Sequence, residues 1–236
     1  MGDIYFVRHG QASFGEDNYD RISETGDLQS CALAEYLCNT GIAFDSIYCG
    51  TLDRQQQTAE RFINHAAPRK SPPYELKFRP ELNEYNSREI VRHYLPIVLR
   101  AETPHIFNLQ EIYRDKKAFQ KIFHSIMLKM VSGKYEFSGV ESWESFQTRV
   151  RTAIKKIIAE NGAGKKILVF SSGGPIAAAV QAALDISGEA TLRLMWQIAN
   201  ASITRFKYNA EEFSLHSFNN YSHLLFYKGK NITTFR

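Results

Sequence analysis

Six short runs of strand-forming residues recur along the chain: Ile4–Val7, Ser46–Cys49, Glu75–Phe78, Lys166–Phe170, Ser202–Tyr208 and Phe213–Phe218. Helical patterns near Gly26–Cys38, Leu52–His65 and Pro175–Leu184 follow the first, second and fourth runs. In the first helix Leu28, Cys31, Leu33, Ala34 and Leu37 recur at helical spacing, and Gly41 supplies a stop. Parallel strands need a crossover, and helical crossovers cover a sheet on both faces. The expected fold class is therefore α/β: a three-layer sandwich with a mostly parallel central sheet flanked by helices. Residues 1–236 show no repeat, no low-complexity stretch and no clear linker, so they read as a single domain.

Residues 86–138 break the rhythm. They carry two helical segments, Arg88–Arg100 and Asp115–Val131, interrupted by Pro96 and Pro104. The second segment presents Phe119, Ile122, Phe123, Ile126, Met127 and Met130 at helical spacing. The segment is expected to be a helical insertion or cap over the carboxyl edge of the sheet. It is then either a lid or specificity wall, or an ordinary structural excursion. A long helix from Ser142 to Glu160 returns the chain to the core.

Bulk properties narrow the function. Hydrophobic residues are 44% and charged residues 23%, as in water-soluble globular domains. No apolar run reaches the roughly 18 residues a membrane span needs, and no secretory signal is expected. Phe6 stands where a myristoylation motif wants Ser or Thr. The net charge of +4 is spread over scattered doublets (Arg69-Lys70, Lys116-Lys117, Lys165-Lys166) rather than a stripe. No nucleic-acid or membrane partner is expected, whereas an anionic substrate suits a mildly basic protein. Cys31, Cys38 and Cys49 have no metal spacing, and Cys31 and Cys38 lie about 10 Å apart on one helix, too far for a disulfide. Reduced thiols point to the cytoplasm.

Four segments carry candidate chemistry. Arg8-His9-Gly10 leaves the first strand at its carboxyl end, where open α/β sheets bind ligands. Histidine can be a nucleophile, arginine can clamp an oxyanion and glycine admits a close approach. Cys49-Gly50-Thr51-Leu52-Asp53-Arg54-Gln55-Gln56-Gln57-Thr58-Ala59 puts Arg54 in the first turn of a helix, against the macrodipole. That placement makes sense with an anion between the guanidinium and the free N–H groups. Arg79-Pro80-Glu81-Leu82-Asn83-Glu84 offers carboxylates for proton transfer. Phe170-Ser171-Ser172-Gly173-Gly174-Pro175-Ile176 is a strand, a glycine-rich turn and a helix start, able to present N–H groups to an anion. Singly, Arg54 reads equally as a surface residue, Glu84 as a loop charge and Ser-Ser-Gly-Gly as a tight turn. Together they converge on a phosphate site.

The set resembles the histidine phosphatase superfamily, which includes phosphoglycerate mutase. The resemblance rests on the early Arg8-His9-Gly10, Arg54 followed by Gln57-Thr58-Ala59, Leu82-x-Glu84 after the third strand, and the apolar strand before Gly173-Gly174. Gln29 after Gly26 and the closing Asn219…His223-Leu224 extend it over nearly the whole chain. It implies a metal-independent phosphomonoester hydrolase without cofactor, in which His9 forms a phosphohistidine. Arg8, Gly10, Arg54, Ser172 and Gly173 would bind phosphate, and Glu84 would be the acid and base. The implied partner is a small phosphorylated substrate or a phosphoprotein, and the oligomeric state stays open, a homodimer included.

Two departures stand out. The family's second histidine aligns with Ser172, a hydroxyl that donates one hydrogen bond but carries no charge. The family's phosphate-contacting Asn aligns with Gly15, leaving Ser13 or Asn18 as substitutes and His223 as a conceivable donor. Two alternatives follow: a weakened or inactive member that binds a phosphorylated ligand or protein, and a mutase-type phosphotransferase. The second is disfavoured because the loop after Gly10 lacks the Trp-Asn pair of such mutases.

Overall fold

The computed structural model describes residues 1–13, 20–69, 74–102 and 116–235. Six strands form one sheet: β1 (Gly2–Arg8), β2 (Ser46–Cys49), β3 (Leu76–Phe78), β4 (Lys166–Ser171), β5 (Ile203–Tyr208) and β6 (Phe213–Asn220). Their order is β3-β2-β4-β1-β5-β6, and β1 to β4 pair in parallel. β5 pairs antiparallel with β1 and with β6. The link from Tyr208 to Phe213 is a short turn in which the Asn209 side chain accepts from the N–H groups of Glu211 and Glu212. Such a turn is too short for a crossover, so it can only make a hairpin.

Strand alternation builds the layers. Ile4 and Phe6 of β1 face one side of the sheet, and Tyr5 and Val7 face the other. Tyr5 and Val7 join Ile47, Leu168 and Phe170 under α1 (Glu24–Asn39) and α2 (Asp53–Ala66). Ile4 and Phe6 join Tyr48, Ile167 and Val169 under helices of the other face. These are α3 (Ser87–Glu102), α4 (Lys116–Val131), α5 (Trp143–Asn161), α6 (Gly173–Leu184) and α7 (Gly188–Met195). The result is a mostly parallel sheet between two helical layers, as the alternation of patterns requires.

Two details depart from the sequence reading. Pro96 does not interrupt α3, which runs through it. The proline is exposed, so the Arg92 carbonyl that loses its helical donor faces the wet side of the helix; Pro104 lies outside the described residues. Helix α7 was not expected: at eight residues it offers too few periodic positions, although Ser187 caps it by accepting from the Ala190 N–H. Within 86–138, Ile90, Tyr94, Val98, Ile126, Met127 and Met130 share the core that holds Phe6 and Val169. Helix α3 packs on α4, and α4 packs on α5 and α7. Each fully buried side chain of this kind stabilises the packing by about 1.5–3 kcal/mol.

Candidate active site

The parallel register brings all four segments to one edge. Arg8 at the end of β1 lies beside Ser171 at the end of β4, and Cys49 at the end of β2 lies between Phe170 and Phe78. Beyond the last pair, the His9 N–H donates to the Ser171 carbonyl at 2.9 Å and the Gly50 N–H to the Phe170 carbonyl at 3.1 Å. The main chain of His9 is therefore an extension of the sheet. Its carbonyl is held by the Ala201 N–H and the Asn200 side chain, each at 3.2 Å.

The tautomer of the His9 ring follows from its neighbours. Nδ1 lies 2.7 Å from the Gly10 carbonyl, which can only accept, so Nδ1 carries the proton. Nε2 accepts from Arg54 Nε at 3.1 Å and so presents a lone pair. Burial pushes the His9 pKa well below its ordinary value, with the Arg54 and Arg8 charges adding in the same direction. The ring is neutral and its Nε2 is the free base.

Gly10 is required by close approach. Its N–H donates to Thr58 Oγ1 at 3.0 Å, and a Cβ there would fall 2.4 Å from the Gly26 carbonyl oxygen. Thr58 in turn donates to the Arg54 carbonyl at 2.7 Å, so the Gln57-Thr58-Ala59 segment ties the α2 arginine to the His9 loop. At the start of α2 the protein's own Asp20 carboxylate takes the place between the guanidinium and the helix N-terminus: it accepts from Arg54 Nη1 and, at 2.9 Å, from the Asp53 N–H. Arg54 is buried beside it.

Arg8 donates through Nη1 to the carbonyls of Ile198 and, at 2.8 Å, Phe235. A Cβ on Gly173 would stand 3.7 Å from Arg8 Nε, so the first helical residue of α6 lies against this guanidinium. Of the two carboxylates after β3, the structure selects one. Glu81 turns outward to Lys156 at 3.2 Å, and a hydrogen bond from its own N–H leads the lowering of its pKa. Glu84 turns inward: Oε2 accepts from the Gly174 N–H at 3.0 Å and Oε1 from the Tyr85 N–H at 3.2 Å. Burial raises its pKa against the pull of the Gly174 N–H, Arg54 and Arg8. Ser172 is fully buried and accepts from Gln55 Nε2 at 2.8 Å.

The arrangement therefore gathers His9, Arg8, Gly10, Arg54, Glu84, Ser172 and Gly173. The remaining candidates are Ser13, Asn18 and His223. Ser13 is buried with its main chain paired to Arg21 at 2.8 Å, and no hydrogen bond joins its hydroxyl to Arg8, His9 or Arg54 among the described residues. Asn18 lies outside the described residues. His223 is corrected to a structural role: Nε2 donates to the Ala201 carbonyl at 3.0 Å, the ring stacks on Tyr36, and burial takes its pKa down to about 4. It supports the backbone behind His9 rather than facing the imidazole.

Sequence reasoning passed over Asp20, Gln55 and Asn200, and it used Gln29 only as a mark of the resemblance, with no structural role assigned. Gln29 accepts from the Gln11 N–H at 2.9 Å and donates to the Ile232 carbonyl and Thr234 Oγ1 at 2.7 and 2.8 Å. Thr234 also donates to Asn200 Oδ1 at 3.0 Å, so the segment around Ile232–Phe235 braces the His9 loop and Arg8. For Gln55 the available signal was the helical face of α2, which buries Arg54, Gln55, Thr58, Ala59, Phe62 and Ala66.

Solved structures share this fold. A mutant phosphoserine phosphatase from Entamoeba histolytica, in complex with phosphoserine, is 20% identical, with 95% of this chain and 100% of its own covered at a TM-score of 0.65. Phosphoglycerate mutase from Bacillus anthracis is 20% identical, with 94% of each chain covered and a TM-score of 0.62. A mycobacterial glucosyl-3-phosphoglycerate phosphatase is 19% identical, with 92% of this chain and 98% of its own covered and a TM-score of 0.60. No curated protein matches the chain by sequence. The family model of the histidine phosphatase superfamily, branch 1, matches residues 4–93 and 115–221, and the chain belongs to that superfamily.

Proposed function

We propose that the protein is a phosphoric monoester hydrolase that works through a phosphohistidine on His9. The observation that carries this reading is the His9 ring. It is buried and neutral, with Nδ1–H on the Gly10 carbonyl and the Nε2 lone pair beside the Arg54 guanidinium. In the first step Nε2 forms a bond to phosphorus and the ester P–O bond breaks. Glu84, whose affinity for a proton burial raises, gives that proton to the departing alkoxide. In the second step Glu84 takes a proton from water, the water oxygen bonds to phosphorus and the P–N bond breaks. Phosphate leaves, and His9 and protonated Glu84 are restored. Arg8, Arg54 and the N–H groups at the start of α6 face the charge that spreads over the phosphoryl oxygens. Helices α3 and α4 form the specificity wall beside this edge.

Free cysteines at Cys31, Cys38 and Cys49 support a reducing, cytoplasmic setting. Among the described residues no helix is long and apolar enough to cross a membrane. The second reading, a binder of phosphorylated ligands without turnover, is favoured only by Ser172, which brings no charge to the position of the family's second histidine. Hydrolysis of a panel of phosphomonoesters by the wild-type protein, with ³²P trapped on histidine by an alkaline detergent quench, separates the two. Turnover with label lost in His9→Ala supports the hydrolase; tight vanadate binding without turnover supports the binder.

A further inference from the structure

The hydroxyl of Ser172 has a direction, and Gln55 sets it. The Gln55 side-chain amide is fixed at both ends by main-chain groups that admit one polarity each. Oε1 faces the Leu52 N–H at 3.4 Å, which can only donate, and Nε2 faces the Leu82 carbonyl at 3.3 Å, which can only accept. The amide cannot flip without facing like against like at both ends. The second hydrogen on Nε2 therefore goes to Ser172 Oγ, at 2.8 Å, and the serine oxygen is an acceptor there. Its own proton must leave in another direction.

Gln55 and Ser172 are both fully buried. Among the described residues the Ser172 hydroxyl donates no hydrogen bond; its one bond is the one it accepts from Gln55. A buried hydroxyl without an acceptor is costly unless something arrives to take the bond. The residues after it, Gly173 and Gly174, lie against the Arg8 guanidinium and the Glu84 carboxylate, at the anion site. Resting on the hydrolase reading, we propose that Gln55 is a positioning residue that turns the Ser172 hydroxyl into an obligate donor to a phosphoryl oxygen. An ordinary serine rotates and both accepts and donates; with its lone pair pinned by Gln55, this one presents its proton without reorganising. A directed neutral donor thereby serves at the place where the family carries a histidine.

The test is a double-mutant cycle on turnover and on vanadate affinity, with thermal melting beside it. Ser172→Ala should lower kcat/KM and weaken vanadate binding by about tenfold or more, the range of a hydrogen bond to a charged group. Gln55→Met keeps the length and removes the donor, and should cost about three- to tenfold through freed rotation of the hydroxyl. In the Ser172→Ala background Gln55→Met should cost nothing further in either readout, because the group it orients is gone. A Gln55→Met loss that is the same with Ser or Ala at 172, or no loss at all, overturns the proposal. Should Gln55→Met not fold, Gln55→Glu replaces it: its carboxylate accepts the serine proton and should cost at least as much as Ser172→Ala, and wild-type activity in Gln55→Glu overturns the proposal. A wild-type protein that neither hydrolyses phosphomonoesters nor binds vanadate refutes the hydrolase reading itself, and this inference falls with it.

Discussion

Gly174→Ala separates the chemistry of Glu84 from the fold that holds it. A Cβ built on Gly174 lies 2.0 Å from Glu84 Oε1 and 3.0 Å from Tyr85 Cε1. Ordinary contact begins near 3.4 Å, so the carboxylate must retreat by roughly 1.4 Å, while the Tyr85 ring needs a few tenths. The obstructing oxygen is the far end of a rotatable side chain, so the fold yields cheaply. Alanine in the first turn of α6 also regains about 0.8–1 kcal/mol of helix propensity relative to glycine. The melting temperature should therefore stay within a few degrees of wild type. Catalysis has no such slack. A catalytic group misplaced by about 1 Å costs on the order of 10²-fold, or about 2.7 kcal/mol at 1.36 kcal/mol per decade. That loss should fall on esters whose leaving group needs a proton. With an alkyl or sugar phosphate kcat should drop about 10²-fold; with p-nitrophenyl phosphate, whose phenolate departs unprotonated, it should drop only a few-fold. An alkyl phosphate rate within threefold of wild type would refute the seat assigned to Glu84, and equal losses on both esters would remove it as the acid.

The remaining expectations concern the other groups of the site. His9→Ala should abolish turnover and leave vanadate binding through Arg8 and Arg54; residual turnover within tenfold of wild type, measured on p-nitrophenyl phosphate, sinks the nucleophile assignment. Arg54→Ala should weaken vanadate binding by about ten- to a hundredfold, with Arg54→Lys recovering only part because a point charge cannot reproduce the fork; unchanged affinity in Arg54→Ala would make Arg54 a scaffold residue. The pH profile of kcat/KM should fall toward acid as His9 takes a proton at its lowered pKa, and toward alkali as Glu84 loses its proton at its raised pKa. Glu84→Gln should erase the alkaline limb and leave the acid one, and an alkaline limb that survives the substitution belongs to another group.

Much of this was legible because strand-to-helix junctions carry their chemistry locally. The apolar runs ending at Val7, Cys49 and Phe170 place the ends of β1, β2 and β4, and the parallel register then gathers whatever follows them. That is why Arg8, His9, Arg54 and Ser172 stood out as site candidates without coordinates. The choice of Glu84 over Glu81 was not fixed by residue type. It depends on a helix N-terminus ninety residues downstream, where the Gly174 N–H waits for a carboxylate. Asp20 and Gln55 escaped for a related reason. Three successive glutamines follow Arg54, and only the packing of α2 on the Leu82 and Ser172 segment distinguishes Gln55 from the other two. The expectation for His223 failed because a histidine near the end of the chain carries no mark of its partners. Its Nε2 is engaged by the Ala201 carbonyl and its face by the Tyr36 ring.

The electrostatics of the site rest on burial acting the same way on two groups of opposite charge type. Removing water disfavours the charged form of each, so the His9 pKa is lowered and the Glu84 pKa is raised. The arginines do not treat the two alike. Their positive charge reinforces neutrality at His9 and works against it at Glu84, where the Gly174 N–H also favours the ionised form. The Glu84 pKa is raised, not lowered, because desolvation is the larger effect. A bound phosphate dianion changes that balance. It compensates the charge of Arg8 and Arg54 and adds a like charge beside the carboxylate, and both effects hold the proton on Glu84 until the leaving oxygen draws it away. Once the leaving group has gone and water has entered, the ionised carboxylate is the better-solvated form and can act as the base. In the proposed mechanism one residue thus serves both half-reactions because the solvation and charge of its surroundings change between them.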